Sequence, residues 1–213
     1  VSAELKDMPN EAFSMLNMAL PNKKDDTLAE LKNLTALYRN WIDIKLKGDK
    51  TVPSEKSSEI ISKCEESLRR MNEGICKLEK DETSWQAFMF MNQAMYLQRS
   101  ITSYAKASGS GVICSLKDFM KDDPAFGRKK DHSHWRPFQI AFVLLNLCSI
   151  VEEDNPEKNI VDLLYFPTGG GKTEAYLGLI ALTIAYRRLT APLENEFNKD
   201  GGVTVFLRYT LRL

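Results

Sequence analysis

Through the first half of the chain, apolar residues return every three or four positions in three long stretches separated by breakers. Leu28, Leu31, Leu34, Leu37, Tyr38, Trp41 and Ile42 share one helical face, with Asp26 or Thr27 as the expected cap and Gly48 as the stop. Pro53 and Ser54 open a second stretch in which Ile61, Cys64, Leu68, Met71, Ile75 and Leu78 form a seam. A third helix is expected from Thr83 or Ser84, through Phe88, Met91, Met95 and Leu97, to about Ala107, where Ser108-Gly109-Ser110-Gly111 breaks it. Stripes of this kind predict a helical bundle core, with Met89, Met91 and Met95 as gap-fillers.

Past a polar linker, Lys121 to His134, the pattern changes. Ile140 to Val151 is apolar on most sides, as in a buried helix. Two shorter runs, Ile160 to Phe166 and Val203 to Leu207, carry the β-branched, apolar character of buried parallel strands, and a helical segment, Glu174 to Leu189, lies between them. The expected fold is mainly α: a helical accessory domain over 1–125, then, over 126–213, the opening of an α/β nucleotide-binding lobe whose parallel sheet is incomplete.

Between the first short run and the following helix stands Pro167-Thr168-Gly169-Gly170-Gly171-Lys172-Thr173. Three glycines let a backbone curl round a dense anion with its N–H groups pointing inward and no Cβ in the way. Lys172 would reach the β- and γ-phosphates of ATP as a point charge, and Thr173 would offer its hydroxyl to Mg²⁺. The full phosphate-loop signature has glycine five positions before Gly171, where this chain has Phe166.

Upstream, Trp135-Arg136-Pro137-Phe138-Gln139 opens the apolar helix. An amide offers a donor beside an acceptor, the complement of the adenine edge, which makes Gln139 the candidate adenine reader. Arg136 would brace it or meet a phosphate, and Trp135 or Phe138 would cover the base. Downstream, Thr210 with Arg208 or Arg212 would touch nucleic-acid phosphates, a contact that grips without reading sequence.

Composition narrows the partners only a little. With 29 Lys and Arg against 29 Asp and Glu the net charge is zero, so any basic surface for DNA must be local. No apolar run is long enough to span a bilayer and no secretion signal opens the chain, so the expected setting is the cytoplasm. Cys64, Cys76, Cys114 and Cys148 lack metal-ligand spacing and are expected to be reduced thiols, and His132-Ser133-His134 cannot close a tetrahedral site alone. No acidic box follows an apolar strand after the loop, so the hydrolytic base is expected beyond this chain, which then reads as a fragment of a longer enzyme, inactive by itself.

The Pro-Thr-Gly-x-Gly-Lys-Thr form of the loop, the Arg-Pro-x-Gln entry and Tyr209-Thr210-Leu211-Arg212-Leu213 resemble motif I, the segment before it and motif Ia of superfamily 2 helicases. Together with Ala87-Phe88 and Asn92-Gln93-Ala94-Met95, they resemble the helicase subunit of the DISARM anti-phage system, the DrmA family. The resemblance implies a RecA-like lobe, an ATP-dependent DNA translocase or helicase, a second core subunit as partner and a DNA methyltransferase working beside it. Two rivals remain open at this point. One is a different P-loop enzyme such as a kinase, and the other is an ATP-independent helical module that docks DNA or a subunit.

Overall fold

The structure, a computed structural model, describes residues 12–46, 54–111, 115–119, 133–165, 170–191 and 202–208. It is mainly helical: α1 Met15–Met18, α2 Lys24–Trp41, α3 Ser54–Lys80, α4 Glu82–Gly109, α5 Leu116–Phe119, α6 Pro137–Val151 and α7 Lys172–Leu189, with short 3₁₀ turns at Pro21–Lys23 and Pro156–Asn159. The three amphipathic stripes of the first half are α2, α3 and α4. Leu28, Leu31 and Leu34 of α2, Leu68, Met71, Ile75 and Leu78 of α3, and Phe88, Met91 and Met95 of α4 are all buried in one core.

Two boundaries and one side chain differ from expectation for local reasons. Neither Asp26 nor Thr27 caps α2, because Pro21 starts a 3₁₀ turn that runs straight into the helix. Asp25 and Asp26 instead lie in the first turn, where a carboxylate favours the positive end of the helix dipole. The cap of α4 is Asp81, whose carboxylate accepts from the Thr83 N–H at 3.2 Å and from the Ser84 hydroxyl at 2.6 Å. Leu97 is exposed, since the step of two from Met95 carries it about 200° around the helix, off the buried face. Gly48 and Pro53, the expected breakers between α2 and α3, lie outside the described residues.

The core continues across the boundary expected near residue 125. The apolar helix α6 lies along α3, and α7 lies along α4, with Trp135, Ile140, Val143, Leu144, Leu147 and Leu182 in the same cluster as the first-half residues. At the α3–α6 crossing Gly74 is required sterically: a Cβ there would sit 2.4 Å from the Leu144 carbonyl oxygen. A short antiparallel bridge, Ser14 with His134, joins the start of the described chain to the segment entering α6. It is made by Met15 N–H to Ser133 O at 2.9 Å and Trp135 N–H to Phe13 O at 3.0 Å.

No strand forms among the described residues, which corrects the sequence expectation at both short runs. Residues 160–165 and 203–208 carry strand-like sequence without ladder partners among the described residues, and a strand is defined by its partner. Val161, Leu163 and Tyr165 accordingly stand 93%, 87% and 89% exposed. The sheet of a RecA-like lobe is not present in the described residues. What holds the first run is charge: the Arg70 guanidinium of α3, itself buried, donates two hydrogen bonds of 2.8 Å to Asp162 and one of 2.7 Å to buried Glu157. Arg69 meets the other oxygen of Glu157.

Candidate functional site

The described part of the glycine loop ends in a turn whose last residue, Gly171, has φ of +91°. Residues with a side chain rarely adopt that conformation, so glycine is required here. Gly171 is the N-cap of α7, and the helix begins at Lys172. A helix leaves its first amides without intrahelical acceptors and carries a partial positive charge at that end, which together favour an anion. Glu174 puts a carboxylate in the same first turn.

Two side chains from the start of α6 fix this turn. The Arg136 guanidinium donates to the Gly170 carbonyl at 2.8 Å, and the Gln139 amide donates to the Gly171 carbonyl at 2.7 Å. Gln139 is also held from behind, since its Oε1 accepts the Arg136 backbone N–H at 2.7 Å, the returning half of a capping box on α6. Pro137 at the first helical position presets the entry of that helix. The peptides are trans, so each N–H points opposite to its carbonyl. Tying the carbonyls of Gly170 and Gly171 toward α6 therefore turns the amides of Gly171 and Lys172 away from it.

Behind the turn, α7 is seated on an aromatic ring. A Cβ at Gly178 would lie 2.7 Å from the edge of the Trp135 indole, so the helix can approach this closely only with glycine there. The indole N–H donates to Asn92 Oδ1 at 2.7 Å, and the Asn92 amide donates to the Phe88 carbonyl at 2.8 Å, both inside the core. The chain of contacts runs from α4 through Asn92 and Trp135 to α7. Trp135, offered by the sequence as a cover for a base, is buried in this packing. At the far end of α7, Arg187 donates to the Val203 carbonyl at 3.1 Å and to the Thr204 hydroxyl at 2.7 Å, tying the second extended run to the helix.

Of the predicted site residues, the structure brings together Arg136, Gln139, Gly170, Gly171, Lys172 and Thr173 at the α6–α7 corner. Pro167, Thr168, Gly169, Thr210 and Arg212 lie outside the described residues, and Arg208 is exposed at the end of the second extended run. No group of described His, Cys, Asp and Glu side chains has the arrangement of a metal site. His134, one of the two imidazoles considered, meets the Ala12 carbonyl at 3.1 Å. Sequence reasoning gave Asn92 and Gly178 no packing role and missed the Arg70 cluster. A glycine in mid-helix and an asparagine within an apolar stripe were the available signals.

Comparison with known proteins adds to this geometry. Over 209 residues, 97% of its length, the chain is 39% identical to DISARM protein DrmA of Bacillus paralicheniformis. The chain is similar to that protein over nearly its whole length. It spans 18% of that protein's length. No protein-family model matches it. Among the described residues no helix is long and apolar enough to cross a membrane.

Proposed function

We propose that this chain carries the triphosphate-binding corner of an ATP-dependent DNA helicase or translocase acting in bacterial defence against phage, in a multi-subunit DISARM system. The observation that carries the reading is the turned glycine at the head of α7. Gly171 sits at φ of +91°, its carbonyl and that of Gly170 are tied back by Gln139 and Arg136, and Lys172 and Thr173 follow at once. This arrangement fits a polyphosphate: backbone amides turned to one side, a helix N-terminus, an ammonium and a hydroxyl in a single turn. The likeness to DrmA supplies the defence context.

In this reading the loop from Pro167 through Gly171 cradles the phosphates, Lys172 neutralises their charge, and Thr173 holds Mg²⁺. When bound, Mg²⁺ would supply further charge neutralisation on the phosphate oxygens. In this reading residues 126–213 open the RecA-like lobe, and the hydrolytic base and the remaining strands of its sheet would belong to other parts of a longer protein. Arg208, Thr210 and Arg212 would grip the DNA backbone, and a second core subunit would be the protein partner.

The deciding experiment is Lys172→Ala in the complete protein. DNA-stimulated ATP hydrolysis should fall at least about a hundredfold, the effect of removing one electrostatic stabiliser of charge in the transition state, while circular dichroism and the thermal midpoint stay unchanged. Hydrolysis that persists in a folded Lys172→Ala protein overturns the assignment. Turnover indifferent to DNA favours the kinase-like alternative.

A further inference from the structure

Helix α4 is apolar on two opposite sides, and one of them is bare among the described residues. In its first half Trp85, Phe88, Met91 and Met95 turn into the core. Phe90, Leu97 and Ile101 are spaced seven and four residues apart, which at roughly 100° per residue returns each to within about 40° of the one before. They form a ridge roughly 16 Å long on the far side of the helix, and stand 51%, 39% and 50% exposed.

Two features separate this ridge from the apolar residues scattered over any protein surface. The first is the absence of charge. From Thr83 to Gly109 the helix carries no acid and only two cations, Arg99 and Lys106, both of which leave the helix about 180–200° around from Leu97. A solvated helix face is expected to carry charged side chains, whereas an apolar strip flanked by Gln93 and Gln98 has the make-up of an interface centre, where charge is depleted. The second is that the strip already serves as a docking surface at one end. Tyr104 continues it beyond Ile101 and meets Phe119 of α5 edge to face, with 5.2 Å between ring centroids and Phe119 only 5% exposed. α5 has four residues, and the ridge from Phe90 to Ile101 stays exposed beside it.

We infer that this ridge is the seat of an amphipathic helix supplied by the same protein from outside these 213 residues. The chain matches 18% of the length of the DISARM protein it resembles. In a polypeptide of that size most residues lie elsewhere, and the covalent link holds them at high effective concentration. A second copy fits poorly, because three half-exposed side chains fall far short of the roughly 800 Å² that each partner buries in a stable dimer. A transient partner steered by charge fits no better, since no charge stands beside the ridge to steer it. The incoming helix packs its own apolar residues, recurring at three- and four-residue intervals, on either side of Leu97 and sets uncharged polar residues against Gln93 and Gln98.

A photo-crosslink from the ridge tests this in the complete protein, purified without other subunits and monomeric by mass. Leu97→p-benzoylphenylalanine places a photoreactive ketone mid-strip, and Lys106→p-benzoylphenylalanine places one on the opposite side of the helix. Irradiation should join position 97 to a peptide outside the 213 residues, identified by mass spectrometry, and position 106 should not reach that peptide. In the unsubstituted protein, hydroxyl-radical labelling of Phe90 should fall to the rate of buried Phe88. Absence of an adduct at position 97, an adduct confined to the 213 residues, or a cross-linked dimer overturns the inference. Protection of Phe90 that appears only when another subunit is added overturns it as well. If the substituted protein does not fold, wild-type Phe90 decides alone: labelling at the Phe88 rate supports the seat, and labelling near the rate in urea-unfolded protein removes it.

Discussion

The helical frame and the two extended runs are built from equally apolar sequence and end in opposite conditions. In α3, α4 and α6 the apolar faces are buried together, and no buried side-chain nitrogen or oxygen among the described residues lacks a partner. In 160–165 and 203–208 most apolar side chains are exposed, with Phe206 90% exposed and only Leu164 and Val205 half-buried. The difference follows from where each element finds its backbone partners. A helix satisfies its own N–H and C=O groups and needs only one face covered, whereas a strand needs a neighbour for its backbone before its side chains can be buried.

The junction between the two regions is the place to break that contrast most severely. Arg70 is buried and links α3 to Glu157 and Asp162, and the bonded carboxylates raise its already high pKa further. Arg70→Ala takes the guanidinium from Asp162 and leaves buried Glu157 with Arg69 alone. The expected loss is about 3 kcal/mol in a denaturant titration, because three charge-assisted hydrogen bonds in a partly desolvated cluster are lost together. A loss below about 1 kcal/mol would mean the cluster is solvated.

Within the frame, Gly74→Ala tests the tightest crossing. The new methyl would meet the Leu144 carbonyl oxygen at 2.4 Å, and because both parties belong to helix backbones the helices must part. Destabilisation of about 2–3 kcal/mol is expected, measured by the shift in urea midpoint. The same substitution on an exposed helix face would instead stabilise by roughly 0.5–1 kcal/mol, since alanine is the better helix former. The sign of the change therefore reports the crossing.

How far each part could be read from sequence follows the same physics. The seam from Leu68 to Leu78 and the stripe from Phe88 to Met95 are periodic, and periodicity is local information, so the helices and their buried faces appear almost as expected. Leu97 was misplaced because it was counted as apolar without asking which side of the helix it occupied. The strands were legible as composition only, since a ladder depends on residues far away in sequence. At the site, Gly171 and Lys172 could be placed from the motif, but the destination of the Gln139 amide could not. Its partner, the Gly171 carbonyl, is 32 residues away and is a backbone group that no side-chain pattern marks.

A smaller effect separates the frame from solvent by pH. Cys148 of α6 is buried, and burial first, then the nearby Glu152 carboxylate, pushes its thiol up from 9.0 to about 11. Below pH 9 the thiol is neutral in both the folded and the unfolded chain and the full stability is present. Above it the unfolded chain loses its proton first, so stability drains away between pH 9 and about 11. Other groups titrate in that range, so the quantity to measure is the difference between wild type and Cys148→Ala in urea midpoint across pH 8 to 11. The wild type should lose on the order of 2 kcal/mol more than the variant. Equal slopes would mean that water reaches the sulfur.

The smallest effect sharpens the comparison from the other side. Leu163 carries as much apolar surface as Leu68 or Leu78 of the seam, yet it stands 87% exposed while those two are buried. Leu163→Ser should therefore shift the thermal midpoint by no more than the equivalent of about 0.5 kcal/mol, the range of surface substitutions. Leu78→Ala, made alongside it, should cost about 2–5 kcal/mol, the usual consequence of a core cavity. The ratio of the two tests the claim that apolar content alone does not put a residue in this core. If Leu163→Ser costs about 2 kcal/mol or more, the side chain is covered in the protein under test, and the extended run has found the partner that its strand-like sequence demands.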